Sequence, residues 1–181
     1  MLKHFPKGGV YAEIGVFIGT FSARIVENCA PSKLYMVDMW RDGLDWMVNG
    51  ELRHFSGQEA YLEACKLDCN QCVRMRRQKA VEFISELPDN HLDVVYHDAD
   101  HSYEAVRDCL NLSLPRMKKG GWISGHDYCD VFPGVIKAVD EFASKNGLKI
   151  DILTDETPSV VINMPDGPKT TAYNSYAIKV T

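Results

Sequence analysis

Three things are missing from this 181-residue chain, and each absence excludes a class of function. No apolar run approaches the length of a membrane-spanning helix. The opening Met1-Leu2-Lys3-His4-Phe5-Pro6-Lys7-Gly8-Gly9 also holds no apolar stretch of signal-peptide length. No membrane partner and a cytoplasmic location are therefore expected. There is no excess of positive charge either. The formal net charge of −5 argues against a nucleic-acid partner, because such binding draws on clustered lysines and arginines to neutralise phosphates. A second Cys-x-x-Cys beside Cys69-x-x-Cys72 is missing too. Of six cysteines only Cys65, Cys69 and Cys72 cluster, and a structural zinc site needs four ligands. Reduced thiols of a cytosolic protein are the expectation.

What is present is a composition 45% hydrophobic, enough for a sizeable core in one domain spanning residues 1–181. Strand-like and helix-like segments alternate. Val10 to Val16, Lys33 to Val37, Cys72 to Arg76, Leu92 to Tyr96 and Gly121 to Gly125 read as strands. Thr20 to Cys29, Ala80 to Leu87, Tyr103 to Met117 and Val135 to Asn146 read as helices. Such alternation implies crossover units and a parallel sheet, an α/β doubly wound fold. After Gly147 the helices stop: Lys149 to Leu153, Ser159 to Asn163 and Ser175 to Val180 are strand-like, with a turn at Asn163 to Pro168, and short connections of that kind permit antiparallel pairing. The basic knot Arg74-Met75-Arg76-Arg77 falls in a strand-like segment, where charge protects a sheet edge. One connection is too long for a plain loop. The insert at about 39–71 contains Trp40, Trp46, His54, Phe55 and Tyr61 and a helix-like part from Gln58 to Leu67. It reads either as a lid or as an extra surface helix with its own apolar cluster.

Two strands break abruptly into ionisable residues. Leu92-Asp93-Val94-Val95-Tyr96 runs into His97-Asp98-Ala99-Asp100-His101, and Gly121-Trp122-Ile123-Ser124-Gly125 runs into His126-Asp127-Tyr128. In open α/β sheets, ligands bind outside the carboxyl ends of the strands. Asp98, Asp100, His101, His126 and Asp127 are thus expected in one crevice. At the first strand, Tyr11-Ala12-Glu13-Ile14-Gly15-Val16-Phe17-Ile18-Gly19-Thr20 enters a glycine-bearing turn that opens a helix. In the dinucleotide fingerprint the middle glycine lets the backbone approach a pyrophosphate, and here Phe17 takes that place. A cofactor without phosphates escapes the objection, and S-adenosylmethionine is one. Glu13 can take part in holding its ammonium group, directly or through water, and Asp38 can accept hydrogen bonds from both ribose hydroxyls.

Together, Glu13-x-Gly15-x-x-x-Gly19, Asp38, Asp98-Ala99-Asp100-His101-x-Tyr103-Glu104, and Gly120-Gly121 followed by Gly125-His126-Asp127-Tyr128, resemble the class I S-adenosylmethionine-dependent methyltransferases. The nearest likeness is to the small stand-alone group whose fourth strand ends in Asp-x-Asp-His-Ser-Tyr and whose fifth ends in Gly-His-Asp. The resemblance implies a Rossmann-like seven-stranded sheet, mostly parallel with one antiparallel strand near the C-terminus. It makes Glu13, Gly15, Gly19, Asp38 and Asp98 cofactor-binding residues, Met39 and Trp40 candidates to pack against adenine, and Ala80 a neighbour of the adenine edge.

Asp98, His126 and Asp127 look like the metal ligands of catechol-type and macrocin-type O-methyltransferases, with His126 departing from the oxygen ligand usual there. Mixed oxygen and nitrogen donors suit magnesium or manganese. The other reading has Asp98 facing the methionine part of the cofactor, while His126 and Asp127 are a hydrogen-bonded pair in the pocket floor. His101 stands three residues after Asp98, where the catechol-type enzymes carry a lysine that takes the acceptor's proton. An imidazole is a reasonable substitute, because its ordinary pKa lies near neutrality. His97 packs. The leading expectation is O-methylation of a small hydroxylated acceptor (a sugar, polyketide or phenolic metabolite), with Asp98 and His101 as catalytic residues; a homodimer is left open. The rivals are a non-catalytic cofactor-binding sensor and a metal-dependent oxygenase or hydrolase using the same acids.

Overall fold

A computed structural model describes residues 1–48, 51–68, 71–154, 160–164 and 167–181, and of 44–48, 51, 160–164 and 167–171 the backbone alone. In chain order the elements are β1 (Val10–Ile14), α1 (Thr20–Cys29), β2 (Lys33–Asp38), β3 (Leu44–Val48), β4 (Glu51–Phe55), α2 (Gly57–Cys65), β5 (Val73–Arg77), α3 (Ala80–Glu86), β6 (Leu92–His97), α4 (Tyr103–Ser113), β7 (Met117–Gly125), α5 (Pro133–Lys145), β8 (Ile152–Leu153), β9 (Val160–Met164), β10 (Gly167–Thr171) and β11 (Tyr176–Lys179). Seven strands form one sheet in the order β5-β2-β1-β6-β7-β11-β8. The first five are mutually parallel, and β11 runs antiparallel to both neighbours. This is the mostly parallel, doubly wound sheet that the sequence leads one to expect.

Successive strand residues face opposite sides, and each side has its own core. Ala12, Ile14, Tyr35, Val37, Val95 and Ile123 pack against α3, α4 and α5. Tyr11, Leu34, Met36 and Val94 pack against α1 and the insert, with Trp40, Phe55, Ala60 and Ala64 among them. A sheet covered on both faces requires near-continuous apolar strands. That is why Leu92 to Tyr96 is legible as a strand from sequence. Polar residues mark the helix starts: Ser102 caps α4 by accepting the Ala105 N–H, and Ser56 with Glu59 forms a reciprocal capping box at α2. The stretch read as one helix to Met117 ends at Ser113 and tightens into a 3-10 turn at Leu114–Arg116, where Pro115 cannot continue the helix.

Two parts differ from the sequence reading. The insert contains, besides α2, an antiparallel hairpin β3–β4; its signal is Asn49-Gly50 between alternating segments, although those two residues lie outside the described ones. In the tail, β8 is only two residues long, and β9 pairs with β10 in a separate hairpin instead of joining the large sheet. Ser159, Pro165 and Asp166 of that reading lie outside the described residues. So does Cys69 of the cysteine cluster. The arginine-bearing β5 is an edge strand, as expected.

The sheet positions the site through one close passage. Gly15 has φ +90°, and a Cβ there would stand 2.0 Å from the carbonyl oxygen of Asp98. Gly15→Ala should therefore cost more than about 2 kcal/mol, combining a left-handed backbone with a clash against another chain segment. Gly8→Ala, also at positive φ but in open space, isolates the backbone component at about 1 kcal/mol. Urea unfolding of the two variants measures the difference; equal losses would show that the close passage is not a constraint.

Candidate active site

Next to the last residue of the first strand stands Glu13, which is 1% exposed and accepts a hydrogen bond from Ser22 of α1. Burial pushes its pKa up to about 8 against the pull of the Ser22 bond, and the charges of Asp98 and Asp38 push the same way. The second strand ends in Asp38. Its carboxylate accepts the backbone N–H of Val16 at 2.8 Å, of Phe17 at 3.0 Å and of Trp40 at 2.7 Å. Phe17 and Trp40 both have positive φ, so the carboxylate holds two left-handed positions in place. The negative charges of Asp98 and Asp38 thus both repel a charge on Glu13. A ligand carrying an ammonium and a sulfonium would relieve that repulsion, so the residues fit S-adenosylmethionine on charge, with Glu13, Gly15, Gly19, Asp38 and Asp98 around it.

The two residues after Asp38 separate. Trp40 is 1% exposed; its indole N–H donates to the Phe17 carbonyl at 2.8 Å and its ring meets Tyr61 edge-on at 4.9 Å. The structure turns Trp40 inward as a strut beneath the glycine turn, which takes away the face expected for adenine. Met39 stays half-buried, as does Ala80 at the start of α3. Arg77 was read only as edge charge, yet its guanidinium donates to the carbonyls of Met39 and Trp40 and lies over the Tyr61 ring. Gly19, at φ +82°, lies against Leu67 and Ala64 of the insert. The insert therefore packs directly on the glycine turn.

The fourth and fifth parallel strands deliver the second half. Beyond β6, Asp98 is half-buried, and burial raises its pKa to about 6, opposed by the charge of His126. Beyond β7, Asp127 takes a left-handed φ of 60° and accepts from two imidazoles. His101 Nε2 lies 2.7 Å from its Oδ2 and His126 Nδ1 3.1 Å from its Oδ1. Burial works to raise the Asp127 pKa, but the bonds from His101 and His126 outweigh it and hold the value at about 2. The His101 pKa is raised, chiefly by the Asp127 hydrogen bond. Phe132, at the entrance to α5, stacks on the His101 ring at 4.1 Å and 18°. Tyr173 lies parallel to His126 at 6.4 Å. Sequence reasoning missed Phe132, although Pro133-Gly134 after it marks a helix start; Tyr173 gives no local signal.

The expected metal set of Asp98, His126 and Asp127 is regrouped. Asp98, His101 and Asp127 are the residues whose ligand atoms all lie within 4.8 Å of one another, while His126 Nδ1 is 3.9 Å from Asp98. Asp127 gives one oxygen to each imidazole, as in the hydrogen-bonded pocket floor, and the lone pairs left on its carboxylate and on Asp98 are what a cation would have to use.

The sheet order, the acid at the end of β2 and the paired strand ends define a class I S-adenosylmethionine-dependent methyltransferase. The chain belongs to the methyltransferase-domain family, whose profile matches residues 12–128. It is 25% identical over 166 residues to an uncharacterized protein of Acanthamoeba polyphaga mimivirus, covering 86% of this chain and 72% of that one. Among solved structures it is similar to a SAM-dependent O-methyltransferase from Thermotoga maritima, with TM-score 0.66, 9% identity, and 100% of this chain and 62% of that one covered. It is also similar to the precorrin 8W decarboxylase of Methanobacterium thermoautotrophicum, with TM-score 0.63, 13% identity, and 99% and 85% covered. A third likeness is M. jannaschii TYW2 in complex with AdoMet, with TM-score 0.59, 15% identity, and 99% and 73% covered. At these identities the structures share the fold. No helix among the described residues is long and apolar enough to cross a membrane.

If Asp127 is committed to the imidazoles, millimolar magnesium or manganese should leave the melting curve unchanged. A rise in melting temperature in the wild type that disappears in Asp127→Ala would instead place a cation there by linkage.

Proposed function

We propose that this methyltransferase acts on a hydroxyl oxygen of a small acceptor, with His101 as general base and Asp127 as the group that orients it. The observation that carries this reading is the 2.7 Å bond between His101 Nε2 and Asp127 Oδ2, beside Asp98 at the mouth of the sheet. A base held by a buried carboxylate through one ring nitrogen presents the other. With Nε2 donating to Asp127, Nδ1 is the atom left to accept a proton from the acceptor. Bound S-adenosylmethionine supplies an activated methyl group. Transfer is an in-line displacement, so Glu13, Asp38 and Asp98 contribute by orienting the donor, and the chain need form no covalent intermediate. The insert, packed on the glycine turn, serves as a cover that excludes water.

A small acceptor is favoured by the net charge of −5.

The test begins with calorimetry of S-adenosylhomocysteine, which should bind both the wild type and His101→Gln. A screen of hydroxylated acceptors with labelled S-adenosylmethionine then supplies a substrate. On it, His101→Gln should lower turnover by about a hundredfold or more. Only the neutral imidazole accepts a proton, and Asp127 raises the pKa of His101. The wild-type rate should therefore climb with pH through an ionisation above the ordinary histidine value, and His101→Gln should lack that step. Equal rates across the pH range would remove His101 from the mechanism.

A further inference from the structure

Below the acid and histidine cluster lies a small, partly open cavity of about 20 Å³, lined by His97, Asp98, Asp100, His101, His126, Asp127 and Tyr176 together with Val106 and Val135. Two of its walls carry buried polar atoms without a hydrogen-bond partner: Nδ1 of His97 and the hydroxyl of Tyr176. Both residues are buried, at 9% and 1% exposure. His97 is fixed from its other side, where Nε2 meets Ser113 Oγ at 3.2 Å, so Nδ1 is not free to turn to another partner. The Tyr176 hydroxyl has its place because residue 125 is glycine; a Cβ there would stand 2.7 Å from it.

An unpaired buried polar group costs on the order of 1–3 kcal/mol, and native proteins rarely keep two together. A water molecule needs about 10–15 Å³ of such space and two to four polar partners, and this cavity offers both. Its walls are unlike those of a dry cavity, which are apolar throughout. Burial also holds the His97 pKa down at about 4, so its ring is neutral and can either donate or accept.

We propose that this cavity seats a resident water, and that through it His97 and Tyr176 are positioning residues for Asp98 and Asp127, whose carboxyl groups share the cavity. The positioning half rests on the functional reading above; the water itself does not. His97, which the sequence offers only as packing, becomes part of the support beneath the site. The arrangement is that of an outer layer that fixes the orientation of groups facing the ligand.

The test uses the whole chain. Tyr176→Phe deletes one hydroxyl and keeps the ring. If the hydroxyl holds a water, the variant should unfold at lower urea and bind S-adenosylhomocysteine about fivefold more weakly, the scale of one lost hydrogen bond. His97→Asn, whose amide can stand in for Nδ1, should keep more of the stability and affinity than His97→Leu, and this pair decides the matter if Tyr176→Phe folds poorly. A Tyr176→Phe protein as stable as the wild type, or more so, would overturn the water, since removing a hydroxyl that bonds to nothing relieves a penalty. Stability lost with affinity unchanged would overturn the positioning role. A wild type that does not bind S-adenosylhomocysteine would refute the methyltransferase reading and the positioning role with it, while the urea comparison would still decide the water.

Discussion

The backbone of Gly15 passes against the carbonyl of Asp98 so closely that no side chain fits between them. Two hydrogen bonds fix the passage: the Asp98 N–H donates to Ile14 O at 2.7 Å, and the Gly15 N–H donates to Val37 O at 2.8 Å. Three strands, β2, β1 and β6, are thereby tied side by side at the point where the chain leaves the sheet. Their terminal acids, Asp38, Glu13 and Asp98, have no freedom to separate. A fold shaped for stability alone would not gather these carboxyl groups, because burial and the charges of Asp98 and Asp38 raise the cost of ionising Glu13. The gain comes when a cationic ligand arrives.

Three other glycines extend this logic away from the turn. Gly57 passes the Trp40 carbonyl so tightly that a Cβ would stand 1.9 Å from it, which docks α2 on the strut beneath the turn. Gly125 makes room for the Tyr176 ring, and Gly134 lets the first turn of α5 approach the backbone around His101, with a hypothetical Cβ 2.8 Å from the His101 carbonyl. That approach puts Phe132 over the imidazole. The residues that carry charge are thus placed by residues that have no side chain. Dense packing passes such placement on with little slack, because interiors offer few voids to absorb a shift.

The sequence made the parallel sheet legible because its strands are covered on both faces and so read as apolar runs that end in acids. Asp98, His101, His126 and Asp127 were visible as a cluster for the same reason: they fall at strand ends, and strand ends converge. The pairing within the cluster was not visible. Whether Asp127 faces a cation or two imidazoles depends on side-chain directions that residue spacing does not carry. Trp40 was misplaced likewise. A tryptophan after a strand is apolar in either role, and only the Phe17 carbonyl, 23 residues away, reveals that its N–H points inward. The β3–β4 hairpin is absent from the sequence reading although Asn49-Gly50 is a strong local signal, because the length of the connection points instead to a lid or an extra surface helix. Tyr173 and Tyr176 are brought to the site by the antiparallel β11 region, and no local pattern announces so distant a contact.

The two carboxylates at the centre are chemically alike, but their surroundings divide their roles. Asp127 takes a hydrogen bond from each of two imidazoles and stays ionised at any physiological pH. Asp98, half-buried beside the Asp127 anion, has its pKa raised by burial to about 6 against the charge of His126. Such divergence between adjacent acids is a means of assigning different tasks to one functional group. The permanently charged member can only orient, and it does so for His101, whose protonated form it favours. The His101–Asp127 pair therefore stabilises the fold most below the pKa of an unfolded histidine, and loses that contribution as pH rises through the raised folded value. Catalysis by the neutral imidazole, in the proposed mechanism, would run in the opposite sense and improve over the same interval. The protein thus gives up part of this pair's contribution to stability in the pH range where its proposed base becomes competent, a compromise that the covered, well-packed sheet beneath it can absorb.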